Sequence, residues 1–519
     1  MRRLPFALVA TAIVIGCGGE DDPAPSPPLP RRPVTLDVAT DSSVAQVSER
    51  YLSVAIDTAQ VLGGKFWSKD GEVMSIVGDE TRPPYDFGRP LLQALAGELA
   101  PAWLRVGGSA ADVTYYDLGA QPVSEAPEPY ELLLTAERWD SIVGFAAALD
   151  FELLFTLNAG AGPRDVDQAW TDDQARSLLE YAAAHDQEVG VWELGNEING
   201  YPFILGPDSG VDAEQYASDF AVARQLVDEL APEALLAGPS SAYWPLGGEI
   251  NPILEDWLDL AGEHVDVVTW HYYPQQSRRC PIAELRASPE MPLTPELLDN
   301  AAQWAAVVEA AQAEHAPAAP VWLGETGGAQ CGGEPGLSDA FVGGFWWLDQ
   351  LGLVASRGQP VTIRQSLTGA SYGLLDEDTL EPRPDFYNSV LFRRLMGTEV
   401  LSASAEDDQD LIRSYAHCTR AGAPGAGSGA VTILVLNLST THVAEVSFAE
   451  LDTTDALVWR LSADRLAAPT IRLNDQSLSL DDGAMPDLEP IPLAAETLAL
   501  PPPAYAFVVL PAAGAAACP

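Results

Sequence analysis

Lysine is almost missing from this chain. Only Lys65 and Lys69 occur among 519 residues, so arginine supplies nearly all of the 27 basic side chains, against 75 acidic ones and a formal charge of −48. A surface of that sign repels the nucleic-acid backbone and anionic lipid over long range, which argues against either as a partner. Long apolar runs are missing too: the run at residues 6–15 falls short of the ~20 residues that span a bilayer. Histidine is scarce. The six histidines are scattered, and no His, Cys and Asp grouping has metal-ligand spacing, so neither a metal nor a cofactor is implied.

Arg2 and Arg3 ahead of the short apolar run give the first residues the shape of a secretory signal. The run ends in Val14-Ile15-Gly16-Cys17, which resembles a bacterial lipobox. Residues 1–17 are therefore read as a signal peptide, with Cys17 as the lipidated first residue of the mature protein. Residues 18–33, rich in Pro, Gly and acid, read as a flexible tether. The expected location is the bacterial cell envelope, with membrane contact only through the N-terminal lipid anchor, or secretion if cleavage is ordinary. Four further cysteines, Cys280, Cys331, Cys418 and Cys518, can form disulfides in an exported protein, with three possible connectivities.

A chain of this length fits one large α/β barrel with a smaller domain, or three ordinary domains. Apolar runs at 52–56, 103–106, 151–157, 191–194, 235–238, 265–272, 321–323 and 361–367 read as eight strands. Between them lie amphipathic stretches at 132–149, 213–230, 295–313 and 340–353. Strands alternating with helices predict a (β/α)8 barrel over residues 49–396. After Gly397 the runs at 431–436, 443–448, 456–461 and 505–510 are short and separated by Pro, Gly or Asp turns. They predict an antiparallel β-sandwich over 397–519, joined by the alternating strand within 34–48.

Two of the barrel strands end in a carboxyl group. VWELGNEING carries Asn196-Glu197 at its polar tip, and VWLGETGG delivers Glu325 in the same way. Chemistry in such barrels sits at the C-terminal strand ends, and a pair of carboxyls there suits cleavage of a glycosidic bond. Glu193, earlier on the same strand, reads as a buried residue paired with Arg105 or Arg364 rather than as a catalyst. Trp270, Trp346 and Trp347 read as packing.

Six ordered blocks between Tyr51 and Thr398 resemble the heparanase-type glycosidases of glycoside hydrolase family 79: LRVGGSAAD, WELGNE, VDVVTWHYY, VWLGETGGAQCGGEPGLSDAF, IRQSLTGASYGLLD and LFRRLMGT. The resemblance implies Glu197 as acid/base, Glu325 as nucleophile and Asn196 as partner of the sugar 2-hydroxyl. It further implies that Asp57 and Ser109 contact the sugar at the cleavage point, that His271 and Tyr273 face the nucleophile, and that Gly332, Gly333 and Tyr372 hold a uronic carboxylate. By the same resemblance Cys418 pairs with Cys518, which leaves Cys280 for Cys331. Three departures stand out. Ala110 replaces a basic residue of the animal enzymes, no lysine-rich heparin-binding run exists, and the long excised linker is missing, so an uncut polypeptide with little appetite for sulfated heparan is expected. Cys331 also stands at the first glycine position of the carboxylate loop.

The resulting expectation is a monomeric retaining β-glucuronidase acting on uronic-acid-containing glycans, exo action preferred over endo. Its carboxyls should sit about 5 to 5.5 Å apart, with the pKa of Glu197 raised by the charge of Glu325. Rival readings are a heparanase-like endo enzyme, a β-xylosidase- or β-glucosidase-like relative of the same clan, and a non-catalytic glycan-binding lipoprotein.

Overall fold

The computed structural model describes residues 28–69, 78–119 and 121–519. The signal peptide, Cys17 and most of the tether lie outside the described residues. Among those described, no helix is long and apolar enough to cross a membrane.

The first strand, β1 (Arg31–Gln46), precedes the barrel strands β2 (Leu52–Asp57), β3 (Ala102–Gly107), β4 (Phe151–Leu157), β5 (Val191–Leu194), β6 (Leu235–Trp244), β7 (Val267–Tyr272), β8 (Val321–Thr326) and β9 (Thr362–Arg364). Strands β2 to β9 pair in parallel, each with the next, and β9 pairs with β2 to close the ring. They are buried on both faces, which is why their sequences read as unbroken apolar runs rather than alternations. One helix of eight residues or more follows each: α1 (Pro90–Gly97), α2 (Ala136–Ala148), α3 (Asp173–Ala184), α4 (Ala213–Leu230), α5 (Leu254–Ala261), α6 (Pro295–His315), α7 (Gly343–Ser356) and α8 (Pro384–Leu395). The chain is a closed eight-stranded (β/α)8 barrel with a separate β domain.

Several boundaries differ from the sequence reading. Residues 132–135 form a short strand beside Thr114–Asp117, and only then does Thr135 cap α2 by accepting from Arg138 N–H. The last barrel strand stops at Arg364, well before residue 367. Arg31 to Pro33 are not tether: they already pair with Val443 to Glu445, and Arg31 and Arg32 find Glu445 at 2.7 Å and Asp407 at 2.5 Å. At Pro33 the strand has a partner on one side only, since its antiparallel pairing begins at Thr35 with Glu406, and a Pro is tolerated on such an edge.

The β domain holds β10 (Met396–Glu406), β11 (Ile412–Thr419), β12 (Val431–Asn437), β13 (Val443–Ser447), β14 (Leu457–Ser462), β15 (Leu498–Leu500) and β16 (Ala504–Leu510). With β1 and three two-residue strands they make one eleven-stranded sheet, antiparallel except where β1 runs beside β13. Period-two alternation explains how it serves two cores. Val431, Ile433 and Val435 of β12 pack with Val34, Leu36 and Val446 inside the domain, while Leu434 and Leu436 face the barrel's core with Tyr505 and Phe507. The Tyr505 hydroxyl accepts from Asn388 Nδ2 of α8 at 3.0 Å, fixing the domain against the barrel.

Cys418 of β11 is bonded to Cys518, 100 positions away, and Cys280 to Cys331. Closing a loop of that length restricts the unfolded chain, so Cys518→Ser should cost about 2–5 kcal/mol in urea unfolding. An unchanged midpoint would show that the bridge adds nothing to stability.

Candidate active site

Glu197 lies just past the end of β5, in a turn that begins at Gly195. Its own backbone is left-handed (φ 53°, ψ 54°), a conformation a non-glycine residue adopts at a cost of order 1–3 kcal/mol when the surroundings demand it. The demand comes from Asp112: its carboxyl accepts from Ala159 N–H and Asn196 N–H, both at 3.0 Å, pinning the residue before Glu197. Glu325 occupies the end of β8, and one ligand atom each from Glu197, His271 and Glu325 lie within 4.8 Å of one another. So close an approach is nearer the ~5–5.5 Å separation of retaining glycosidases than the ~6.5–9.5 Å that leaves room for water in inverting ones.

Both oxygens of Glu325 are engaged. Arg105 of β3 donates to one at 2.7 Å and the Tyr273 hydroxyl to the other at 2.6 Å. Arg105, 1% exposed, also donates to Glu193 at 2.9 Å and to Asn196 Oδ1 at 2.9 Å. Glu193 takes a further bond from Thr156 at 2.7 Å. Burial opposes its charge, but Arg105 and these hydrogen bonds hold its carboxyl below the ordinary range. Glu193 is thus a partner of Arg105, whereas Arg364 pairs with Asp385 at 3.0 Å and lies over the rings of Trp346 and Trp347. Those two tryptophans and Trp270 are buried packing residues.

The Glu197 carboxyl is pushed up to about 7. Burial is the main cause; Arg105 pulls the other way and Glu193 adds to the rise. The expectation that the charge of Glu325 would do this is corrected: the enclosing wall does most of the work. His271 Nδ1 lies 3.2 Å from Glu197, and burial lowers its pKa to about 4, so the ring is neutral at pH 7. His271 therefore contacts Glu197, and Tyr273 is the member of the pair that touches Glu325. Asp57, at the end of β2, is also pushed up to about 7 by burial, with the N–H of Ala59 opposing and Glu325 adding. The loop after β3 runs close against it: a Cβ on Gly108 would lie 2.2 Å from an Asp57 oxygen, and φ is +87° there, so glycine is required.

The carboxyls open into a cleft of about 100 Å³ whose walls include Asp57, Ser109, Asn196, Tyr273, Gln365 and Tyr372. Gln330 and Cys331 line it as well. Gly332 and Gly333, expected on this wall, pack behind it: a Cβ on Gly332 would meet Trp67 at 2.4 Å, and the N–H of Gly333 is given to Ala329 at 3.1 Å. The Cys280–Cys331 bond ties this stretch to the loop after β7. Glu197, His271 and Glu325 are close enough to share an ion, but Glu325 already receives a guanidinium and a phenol. The donor set therefore fits a hydrolytic pair better than a resident metal.

Sequence reading named Arg105 only as a candidate partner of Glu193 and missed its bond to Glu325. The available signal was a lone Arg in an apolar barrel strand, since a buried charge must be paired. Asp112, which aims Asn196, gave no signal beyond its place in a motif.

A closed parallel barrel carrying two adjacent carboxyls on strand ends defines a glycoside hydrolase of the clan A type. A family 51 arabinofuranosidase from Xanthomonas axonopodis pv. citri superposes with a TM-score of 0.63, covering 92% of this chain and 99% of its own; at 14% identity that likeness concerns the fold. The particular family comes from sequence. Residues 84–352 match the model of the glycosyl hydrolase family 79 N-terminal domain, and the chain belongs to that family. It is similar to heparanase of Mus musculus (32% identity, 93% of this chain and 94% of that one) and of Gallus gallus (31%, 94% and 97%).

Proposed function

We propose that this enzyme is a retaining β-glucuronidase that releases β-linked glucuronic acid from oligo- or polysaccharides by double displacement. The observation that carries it is the pair at the mouth of the barrel: a carboxyl with pKa about 7 facing, within 4.8 Å, a carboxylate gripped by Arg105 and Tyr273. Glu197 protonates the leaving oxygen while Glu325 attacks the anomeric carbon; Glu197 then removes a proton from the water that frees the sugar. Asn196, Asp57 and Ser109 face the sugar in this reading, and neutral His271 holds the acid in place.

The uronate is held without a cation. Among the described residues no Lys or Arg lines the cleft, which suits recognition by a neutral donor, the Tyr372 phenol foremost. Relatives named for heparan, a polymer containing glucuronic acid, support the same glycone. A panel of nitrophenyl glycosides tests it: turnover of the glucuronide should far exceed that of the glucoside and xyloside, and the opposite order overturns the reading. Tyr372→Phe should lower the glucuronide-to-glucoside ratio of kcat/KM by about 10- to 100-fold, because a hydroxymethyl group has nothing to offer the lost donor. An unchanged ratio would place the uronate elsewhere.

Exo action is favoured by the segment around Trp67, which contributes to the wall of the cleft. Ser371 Oγ donates to Lys69 O at 3.0 Å and Arg279 to Ser68 O at 3.0 Å, pinning it there. Likeness to heparanase over nearly the whole chain favours the second reading, endo cleavage. Monosaccharide as the first product of an oligosaccharide digest would decide for exo.

The pH profile follows from the acid. Glu197 must carry its proton, so kcat/KM should fall as pH rises through about 7. Asp57 titrates at a similar pH. Glu197→Ala should abolish the alkaline fall and Asp57→Asn should retain it; the reverse pattern would exchange their roles.

A further inference from the structure

The cleft is two-sided. Its polar wall, Asp57, Ser109, Gln365 and Tyr372, comes from the loops after β2, β3 and β9. The other wall follows β5 and β6 and consists of Phe203, Ile204, Trp244 and Ile250. Phe203 is 52% exposed, which is unusual for a phenylalanine flanking a polar site.

The position of this wall fixes its use. A general acid delivers its proton to the glycosidic oxygen, so whatever leaves with that oxygen lies on the acid's side. The apolar wall begins six residues beyond Glu197, and Gly200 sits between them: a Cβ built there would lie 3.0 Å from Ile204 Cδ1 and 3.7 Å from Glu197 Cβ. Buried Asn199 holds the two loops together. Its amide donates to Ala242 O and Ile250 O at 3.0 and 2.9 Å and accepts from Ala242 N–H at 2.9 Å. Glu249 braces the far side by accepting from Ser241 Oγ and from the N–H groups of Ile253 and Leu254. The wall is thus a built surface, and among the described residues no cation is part of it.

We infer that this wall is the leaving-group subsite, and that it selects an uncharged aglycone presenting a flat apolar face, either an aryl or arylalkyl group or the CH face of a neutral sugar. A sulfated aminosugar finds no countercharge there. The inference rests on the acid role proposed for Glu197, while the glycone is tested separately.

The experiment uses β-glucuronides that differ only in the leaving group. Methanol and 2-phenylethanol have nearly the same acidity, so the two β-glucuronides they form differ in apolar reach and not in intrinsic reactivity. Wild-type kcat/KM should favour the phenylethyl compound by about tenfold or more. Phe203→Ala and Trp244→Ala should each pull that ratio towards one. A glucuronyl N-sulfoglucosamine should be cut no faster than its N-acetyl counterpart, and slower than a neutral-sugar disaccharide if the sugar face is the native occupant. A wild-type ratio near one, a ratio unmoved in both variants, or preference for the sulfated aglycone would overturn the inference. Hydrolysis of β-glucuronyl fluoride, whose leaving group is too small to reach the wall, reads the glycone alone. If only another glycosyl fluoride is turned over, the glucuronidase reading fails, and the same aglycone ratio is measured on that glycone.

Discussion

Glu325→Gln should lower turnover by about 10⁴-fold or more, the scale of losing a covalent nucleophile, while the protein stays folded. Arg105 retains Glu193 in that variant, so no buried charge is orphaned. A 2-fluoro-glucuronide that traps the glycosyl-enzyme should label Glu325 in the wild type. Label found on Glu193 would sink the assignment, and so would formation of the α-anomer first in an NMR time course. Glu197→Ala should behave differently. Its loss should be large for poor leaving groups and small for very acidic ones, which depart without a proton, and azide should restore activity by entering the vacated space. An equal loss on both kinds of leaving group would remove Glu197 from the acid role.

Arg105→Met should be among the most destabilising single changes in the barrel, by about 3–5 kcal/mol. The side chain is buried and holds Glu193, Glu325 and Asn196 at once. Without it two carboxylates remain in a low-dielectric interior with no countercharge. Adding Glu193→Gln should recover most of the stability and little of the activity, because Glu325 and Asn196 still lack their positioner. Arg105→Lys should not rescue function, since a point charge cannot reproduce a fork with three acceptors. A stable, active Arg105→Met enzyme would show the network to be ornamental. Urea unfolding and kcat/KM on one preparation of each variant separate the two effects.

These two residues mark the line between what was legible in the sequence and what was not. Glu197 and Glu325 could be read because each ends an apolar run, and strand ends converge at one face of a barrel. The bond from Arg105 to Glu325 crosses from β3 to β8, and no spacing along the chain encodes a distance across the ring. The cause of the raised Glu197 carboxyl was hidden likewise: burial exists only once distant strands and loops have closed around it. Among the elements, α8 was missed because it is buried nearly all round and has no polar stripe to give it a helical period. Strand β10 was missed for the converse reason, its outer half carrying small and polar residues, SASAE. Gly332 and Gly333 sit in the expected motif, yet the turn at Cys331 directs them at Trp67 and Tyr372 rather than into the cleft.

Strand β1 lies between β10 and β13, although some 350 residues separate its end from the start of β10. At ~5–20 residues per second of synthesis, roughly 20 to 70 seconds pass before its first partner exists. Val34, Leu36 and Val38 form an unpaired apolar edge throughout that interval, the kind of edge that recruits other chains. The barrel can close while its leading strand is still waiting, whereas the β domain cannot be finished until the last strand has been made. A cell producing this enzyme must therefore shield its beginning until its end arrives, and a carrier that binds the chain as it is made would serve that need.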